Sequence, residues 1–411
     1  MDFEDTPEER AFRKECRTFL DVHATRLEDV QVRYTRAYPT DEMIARARSW
    51  QAVKAEHRFA AITWPEKWGG RGGKPIHQLI YRQEERDYDV PRGVYELTMG
   101  MCLPTLMAYA DEATLQRYLP AGISGQEIWC QLFSEPGGGT DLAGLRTKAT
   151  RQRDGWLIKG QKIWTSRANI ADFGLILTRT DPKVPKHRGL TAFYLDMRSP
   201  GITIRTIQQI SGDHSFCEVF FDDVYVPDTQ RLGEVGEGWR VGMTTLMHER
   251  LALSDIVGPH VEDLLDTYEE LVEMLGADQI PGSVRNTIAE LYVRAQGVKF
   301  TEYRVMTSLS RNATPGPEAT ICKIVNAIKL QEIATLGAEM AGMAGMISDP
   351  DFALKSGWFQ EAFMYAPGKR VAGGTDEILR NVIAERVLGL PPEPRLDKGI
   401  PFDEVRTSAS R

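Results

Sequence analysis

Cysteine is scarce in this 411-residue chain: there are five (Cys16, Cys102, Cys130, Cys217 and Cys322), odd in number and without a C-x-x-C pair. That excludes a disulfide-stapled scaffold and a thiolate zinc site, and it fits a reducing cytoplasm. No apolar run reaches the roughly eighteen residues that a membrane span needs. Positive charge is not in excess either, with 50 Lys and Arg against 58 Asp and Glu, a net charge of −8. Such a balance gives no general attraction to nucleic acid or to anionic membranes, so neither is expected as a partner. Several catalytic signatures are missing too. There is no G-x-G-x-x-G at a strand–helix junction, no G-x-x-x-x-G-K-[ST] loop and no G-x-S-x-G elbow. His248-Glu249 begins like H-E-x-x-H, but Ala252 stands where the second zinc ligand belongs, and the seven histidines show no paired spacing. No metal site is expected. The acidic, polar start MDFEDTPEER is the reverse of a secretory or transit segment, which makes a soluble cytoplasmic protein the expectation.

What is present is an ordinary globular composition, 42% hydrophobic and 26% charged, in a chain too long for one core. Residues 1–126 read as helical: Pro7, Glu8 and Glu9 suit a helix start, and Phe12, Cys16, Phe19 and Leu20 recur at the helical period. The loop WPEKWGGRGGKP (Trp64 to Pro75) interrupts that pattern. Over residues 127–235 the period changes to two. TKATRQRDGWLIKGQKIWTS reads as a hairpin about Asp154-Gly155, and ADFGLILTRTD, LTAFYLDM, GITIRTI and EVFFDDVYVP follow as short strands. This is the pattern of a small antiparallel barrel or sandwich. Residues 236–390 return to long helices, with a stripe of Ile321, Ile324, Ile328, Ile333, Leu336 and Met340 suited to a bundle, and NATPGP (Asn312 to Pro317) as an interhelical loop. Residues 391–411 form a proline-rich polar tail, read as a surface arm. The fold class is therefore α+β, with a small antiparallel β domain between a helical N-terminal domain and a C-terminal helical bundle.

Three segments carry chemistry. In QLFSEPGGGTDLAG (Gln131 to Gly144) three glycines let backbone approach a ligand, and Ser134, Thr140 and Asp141 flank them; by pattern alone the segment is equally a tight turn. In GQKIWTS (Gly160 to Ser166), Trp164 and Ser166 are two apart on a strand and share a side, offering a flat wall and a hydrogen bond to a planar ring; a core tryptophan is the plainer reading. In AGGTDEILRNVIAERVLGLP (Ala372 to Pro391), Thr375 is an N-cap candidate whose helix start has free amides for an anion, or simply a capped terminal helix.

Together these segments resemble the acyl-CoA dehydrogenase family. The resemblance runs through TPEERAFRKECRTFL, ITWPEKWGG, FSEPGGGTD, GQKIWTS and EVFFDDVYVP to GGTDEILRN, nearly the whole chain. It implies FAD, an acyl-CoA substrate, an electron-transfer flavoprotein as acceptor, a role in fatty acid or lipid metabolism and a tetrameric assembly. It also implies that Phe133 and Ser134 meet the polar edge of the flavin, that Thr140 contacts the cofactor phosphates, and that Trp164 and Ser166 lie against the ring near N5. Thr375 and Glu377 match positions that bind the adenylate half.

The family chemistry removes the α-proton of a thioester while the β-hydrogen leaves as hydride to flavin N5, so a carboxylate base is needed beside the α-carbon. Many members carry it immediately before the G-T of the third segment, where this chain has Gly373. A second solution in the family places the base on the first helix after the β domain. LMHERLAL (Leu246 to Leu253) matches that helix, with Glu249 as base and Arg250 beside it at the substrate; a Glu-Arg pair is otherwise an ordinary solvated helix face. The resemblance also implies that the Gly373 amide and a ribitol hydroxyl polarise the thioester carbonyl. Two departures stand out. The family's R-x-x-F-G stretch has no counterpart near GADQIPGSVRNT (Gly276 to Thr287), and its Q-x-x-G-G-x-G appears as EMAGMAG, with Glu339 and Met343 substituted. An acidic residue near a pyrophosphate is unfavourable. A mixed tetramer with a paralogous chain, rather than a homotetramer, is one way to supply the weakened half-site. The competing readings are a flavin oxidase or monooxygenase on the same fold, and a partner subunit without activity of its own. Met101, Leu103 and Met107 serve equally as pocket lining or as core.

Overall fold

The computed structural model describes residues 5–27, 39–252, 258–310, 316 and 319–405, without the side chains of 249–252, 306, 309, 310 and 319. NATPGP falls almost wholly outside this range. Helix α1 (Pro7–His23) starts at a capping box: the Thr6 hydroxyl accepts from the Glu9 amide while the Glu9 carboxylate accepts from the Thr6 amide. Its Cys16, Phe19 and Leu20 are buried, the stripe that the helical period marks. A two-residue ribbon of β1 (Thr25–Arg26) and β2 (Tyr88–Asp89) brackets α2 (Asp41–Glu56) and α3 (Pro75–Glu85). After β2, a single π-helical stretch, Thr98–Cys102, runs into α4 (Leu103–Tyr109) and α5 (Glu112–Ile123).

The central sheet is built from β3 (Trp129–Leu132), β4 (Lys148–Arg151), β5 (Gly155–Ser166), β6 (Phe173–Arg179), β7 (Leu190–Asp196), β8 (Ile202–Ile207), β9 (Phe216–Pro227) and β10 (Arg231–Leu232). Its order is β10-β7-β6-β4-β5-β9-β8, with β3 added against β6. The hairpin expected about Asp154-Gly155 joins β4 to β5. The sheet is not wholly antiparallel: β3 runs parallel to β6, with Trp129 opposite Phe173 and Leu132 opposite Ile176. A parallel pair needs a long crossover, and residues 133–172, including the glycine-rich turn and the β4–β5 hairpin, supply it.

The C-terminal bundle contains α6 (Gly238–Ala252), α7 (Val261–Leu275), α8 (Gly282–Ser310), α9 (Ala319–Met340), α10 (Trp358–Lys369) and α11 (Asp376–Arg386). Val261, Leu264, Ile288, Leu291, Ile333, Leu336 and Phe359 make its core. Gly337 lets α10 close on α9: a Cβ there would stand 2.2 Å from the Phe359 ring. The expected stripe is only partly inward, since Ile321 is exposed.

A second large core belongs to no single zone. Leu103, Leu106, Leu115 and Leu119 of the N-terminal helices pack with Trp129, Leu175, Leu177, Leu190 and Tyr194 of the sheet and with Val241 of α6. Met101 and Leu103 are fully buried in the interior, and Met107 packs partly buried at its edge.

Candidate functional site

The glycine-rich turn leaves β3 as a closed loop. Glu135 and Gly138 exchange backbone hydrogen bonds at 3.1 and 3.0 Å, so the segment is a tight turn. Its outer side is nonetheless open, because a Cβ at Gly137 or Gly139 would meet no atom within 4 Å. Thr140 is exposed on this rim.

Strand β5 lies beside the turn. The Ile163 amide donates to the Ser134 carbonyl at 2.9 Å, and the Lys162 ammonium donates to the Phe133 carbonyl at 3.0 Å. Phe133, buried in the core, and Ser134 thus lie on backbone next to the stretch of β5 that carries Trp164 and Ser166. The pairing of β5 with β9 slips between Lys162 and Thr165, and at this bulge Trp164 adopts φ 59°, the left-handed region that a bulky residue avoids. The result is an indole 55% exposed, with the Phe216 ring edge-on 6.0 Å away. Thr165 between them is buried, and its hydroxyl has no hydrogen-bond partner. A strained backbone that turns a tryptophan outward fits a binding face better than a core position. Trp164 and Ser166 do lie on the more open side of β5, but through the bulge rather than by simple alternation.

The junction rests on a buried ion pair that the motif reading passed over. Lys162 is wholly buried and lies 2.8 Å from the Glu135 carboxylate, which also accepts from the Arg146 and Thr147 amides at 2.6 and 2.8 Å. Burial pulls the Lys162 ammonium down to about 8, against the pull of Glu135. Burial alone would raise the Glu135 carboxyl, but Lys162 and the Thr147 and Arg146 donors outweigh it and hold the group below its usual range. At neutral pH both carry charge. The signal was available: along β5 Trp156, Ile158 and Lys162 share a parity, so the period of two sends a lysine inward, and an inward lysine needs a carboxylate.

The third segment forms a separate group on the bundle. Gly373 and Gly374 turn with φ 65° and 95°, and Thr375 caps α11 by accepting from the Ile378 amide at 3.2 Å. Asp376, 1% exposed, pairs with Arg370 at 2.7 Å and Lys323 at 3.5 Å, while Lys323 also donates to the Gly374 carbonyl at 2.6 Å. The sequence reading missed this clamp, which only the approach of α9 to α11 assembles. A cavity of about 360 Å³ beside it is lined by Gln331, Pro367, Arg370, Val371, Asp376 and Glu377. Met343 stands 81% exposed on the turn that follows α9, and Glu339 is exposed at the end of that helix.

Helix α6 crosses between the sheet and the N-terminal helices. Thr245 and Thr105 join hydroxyls at 3.0 Å, and Tyr109 and Thr244 at 2.8 Å. Positions 249 and 250 are in the last turns of α6, and the side chains of Glu249 and Arg250 lie outside the described residues.

A helical domain, a small sheet carrying an open glycine turn beside an outward tryptophan, and a capped terminal helix define a class of three-part α+β proteins. Residues 6–126, 130–224 and 236–388 match the acyl-CoA dehydrogenase N-terminal, middle and C-terminal domains, respectively. The chain is 33% identical over 365 residues to "Acyl-CoA dehydrogenase IpdE1" of Mycobacterium tuberculosis, covering 86% of this chain and 90% of that one. It is 37% identical over 342 residues to "Acyl-CoA dehydrogenase FadE34" of the same organism, covering 83% of this chain but only 46% of that protein's length. The solved structure "Tcur3481-Tcur3483 steroid ACAD" superposes with a TM-score of 0.79 at 25% identity over 96% of this chain and 100% of that one. The chain belongs to the acyl-CoA dehydrogenase family. Among the described residues no helix is long and apolar enough to cross a membrane, and no group of His, Cys, Asp and Glu is arranged to hold a metal.

Proposed function

We propose that this chain binds FAD and dehydrogenates an acyl-CoA thioester between its α and β carbons, with electron-transfer flavoprotein as the acceptor. The observation that carries the reading is the Ser134–Ile163 hydrogen bond, which sets the open glycine turn beside the exposed Trp164 face. The residues present fit FAD: an outward indole for a planar ring, a buried and unpartnered Thr165 hydroxyl next to it in the chain, and bare Gly137 and Gly139 backbone that phosphates can approach. Phe133, Ser134, Thr140, Trp164 and Ser166 would hold the cofactor here, and Thr375 with Glu377 would hold an adenylate half at the start of α11. Bound FAD supplies the hydride acceptor.

The chain's own residues do the rest. Glu249 takes the α-proton, Arg250 lies beside it at the substrate, and the Gly373 amide donates to the thioester carbonyl, favouring the enolate-like charge that develops there. The bare Gly373 leaves room at the acyl carbons, and a relative by fold is described as a steroid enzyme; both support a bulky, ring-bearing acyl group.

The same relative joins two named chains, which supports a mixed tetramer in which a paralogous subunit completes the cofactor site weakened at Glu339 and Met343. The chain purified alone is then expected to carry less than one FAD per subunit and to gain flavin with its partner. Full occupancy in a homo-oligomer overturns this.

An anaerobic panel of straight, branched, aromatic and sterol-derived thioesters tests the function by flavin bleaching. Ring-bearing thioesters should bleach fastest. Bleaching by straight chains alone overturns the substrate class, bleaching by none overturns the activity, and fast reoxidation in air with peroxide favours the oxidase.

A further inference from the structure

The tail beyond Leu390, read from the sequence as a surface arm, is fastened to the sheet behind the glycine-rich turn. Phe402 donates its amide to the Val184 carbonyl at 3.0 Å, Asp403 donates to Pro182 at 3.1 Å, and Pro401 bridges to Pro185. Lys183 pairs with Asp403 and Lys186 with Asp397, each at 2.5 Å.

Two of these contacts bear on the turn. Arg179, 3% exposed, donates to the carbonyls of Ala143 at 2.6 Å, Leu145 at 3.2 and 3.3 Å, and Lys186 at 2.7 Å, and so ties the descending limb of the turn to the 182–189 loop. Burial pulls its guanidinium down to about 10, still charged at neutral pH. The Phe402 ring, itself buried, covers that guanidinium at 3.7 Å, with Arg146 at 5.2 Å. A cation screened from water gains most from an aromatic face. On the same descending limb, two residues before Ala143, Lys186 donates to both oxygens of Asp141, at 2.8 and 3.0 Å, while it holds Asp397 of the tail. Burial opposes the charge on Lys186, and its hydrogen bonds to Asp141 and Asp397 restore it.

We propose that residues 397–405 are a strap that fixes the glycine-rich turn in the shape that receives the cofactor, with Phe402, Arg179, Lys186 and Asp397 as positioning residues. The proposal rests on the reading that this turn seats FAD, but its first consequence does not need FAD at all. The tail-linked contacts hold the descending limb from Asp141 to Leu145, while strand β5 holds the ascending limb at Phe133 and Ser134; backbone held in this way is pre-organised, so binding has less ordering to do.

Hydrogen exchange on the full-length apoprotein tests it, with Phe402→Ala, Phe402→Leu and Phe402→Tyr. In Phe402→Ala the amides of residues 138–147 should exchange about tenfold faster, matching the loss of one screened cation–aromatic contact, while strand β7 keeps its protection. Phe402→Tyr should restore the turn, and Phe402→Leu, which keeps apolar bulk without the ring, should not. A flavin titration of the same proteins should show FAD binding weakened by a similar factor in Phe402→Ala and recovered in Phe402→Tyr. An unchanged exchange rate in the turn overturns the strap, and so does a uniform rise across the whole sheet, which would mark the tail as general packing. A faster-exchanging turn with unchanged FAD affinity upholds the strap and counts against the turn as the flavin seat.

Discussion

Glu249→Gln is expected to slow anaerobic flavin bleaching by a good thioester by about 10²–10⁴, the usual worth of a positioned general base. The amide keeps the size of the side chain and loses the ability to take a proton, so FAD content and thermal midpoint should match the parent. Position 249 is one helical turn beyond Thr245 and two beyond Val241, both buried where α6 crosses the sheet and α4. The alternative position for a base is Gly373, which has no side chain to offer. Flavin content must be measured beside the rate, because a variant that has lost FAD fails for another reason. Bleaching at the parental rate with full flavin would remove Glu249 from the reaction.

Lys162→Met should be the most destabilising single change at the site. It leaves the Glu135 carboxylate, 8% exposed, without its ammonium, and removing one partner of a buried pair costs about 3–5 kcal/mol. Denaturant unfolding followed by tryptophan fluorescence measures it. The double variant Lys162→Met/Glu135→Gln should recover part of the loss, since no unpaired charge is then buried, although the side-chain amide introduced at position 135 has one oxygen and can accept from only one of the Arg146 and Thr147 amides. A single variant as stable as the parent would show that the Lys162–Glu135 contact does not organise the turn.

The secondary structure was largely legible because its periods are clean. The helix start at Pro7, the Asp154-Gly155 hairpin and the Thr375 cap are short-range devices, each decided within a few residues. The glycine-rich and tryptophan segments were legible as motifs, and the structure bonds Ser134 to Ile163, the residue before Trp164. What escaped depended on partners far apart in the chain. The parallel β3–β6 pair spans about forty residues of crossover, and no local pattern announces its direction. The Asp376 clamp waits for Lys323 from another helix, and Phe402 lies more than two hundred residues from the Arg179 it covers. The spacing puts Trp164 and Ser166 on one side of their strand but leaves a ring wall and a core position both open; the left-handed backbone that turns the indole outward follows from a register slip that only the β9 partner imposes.

The core that joins α4 and α5 to the sheet and to Val241 has a bearing on how the chain is made. On the ribosome the leading helices emerge with Leu106, Leu115 and Leu119 only partly covered by Trp64 and Trp68, and the cluster is not closed until β6, β7 and the start of α6 have been synthesised. At translation speeds of about 5–20 residues per second that interval lasts several seconds, during which greasy helix faces are open to chaperones and to each other. The leading third of this polypeptide can close its own core around Phe19, Trp50 and Tyr81, but the α4–α5 face is a half-built wall that its own later strands must finish.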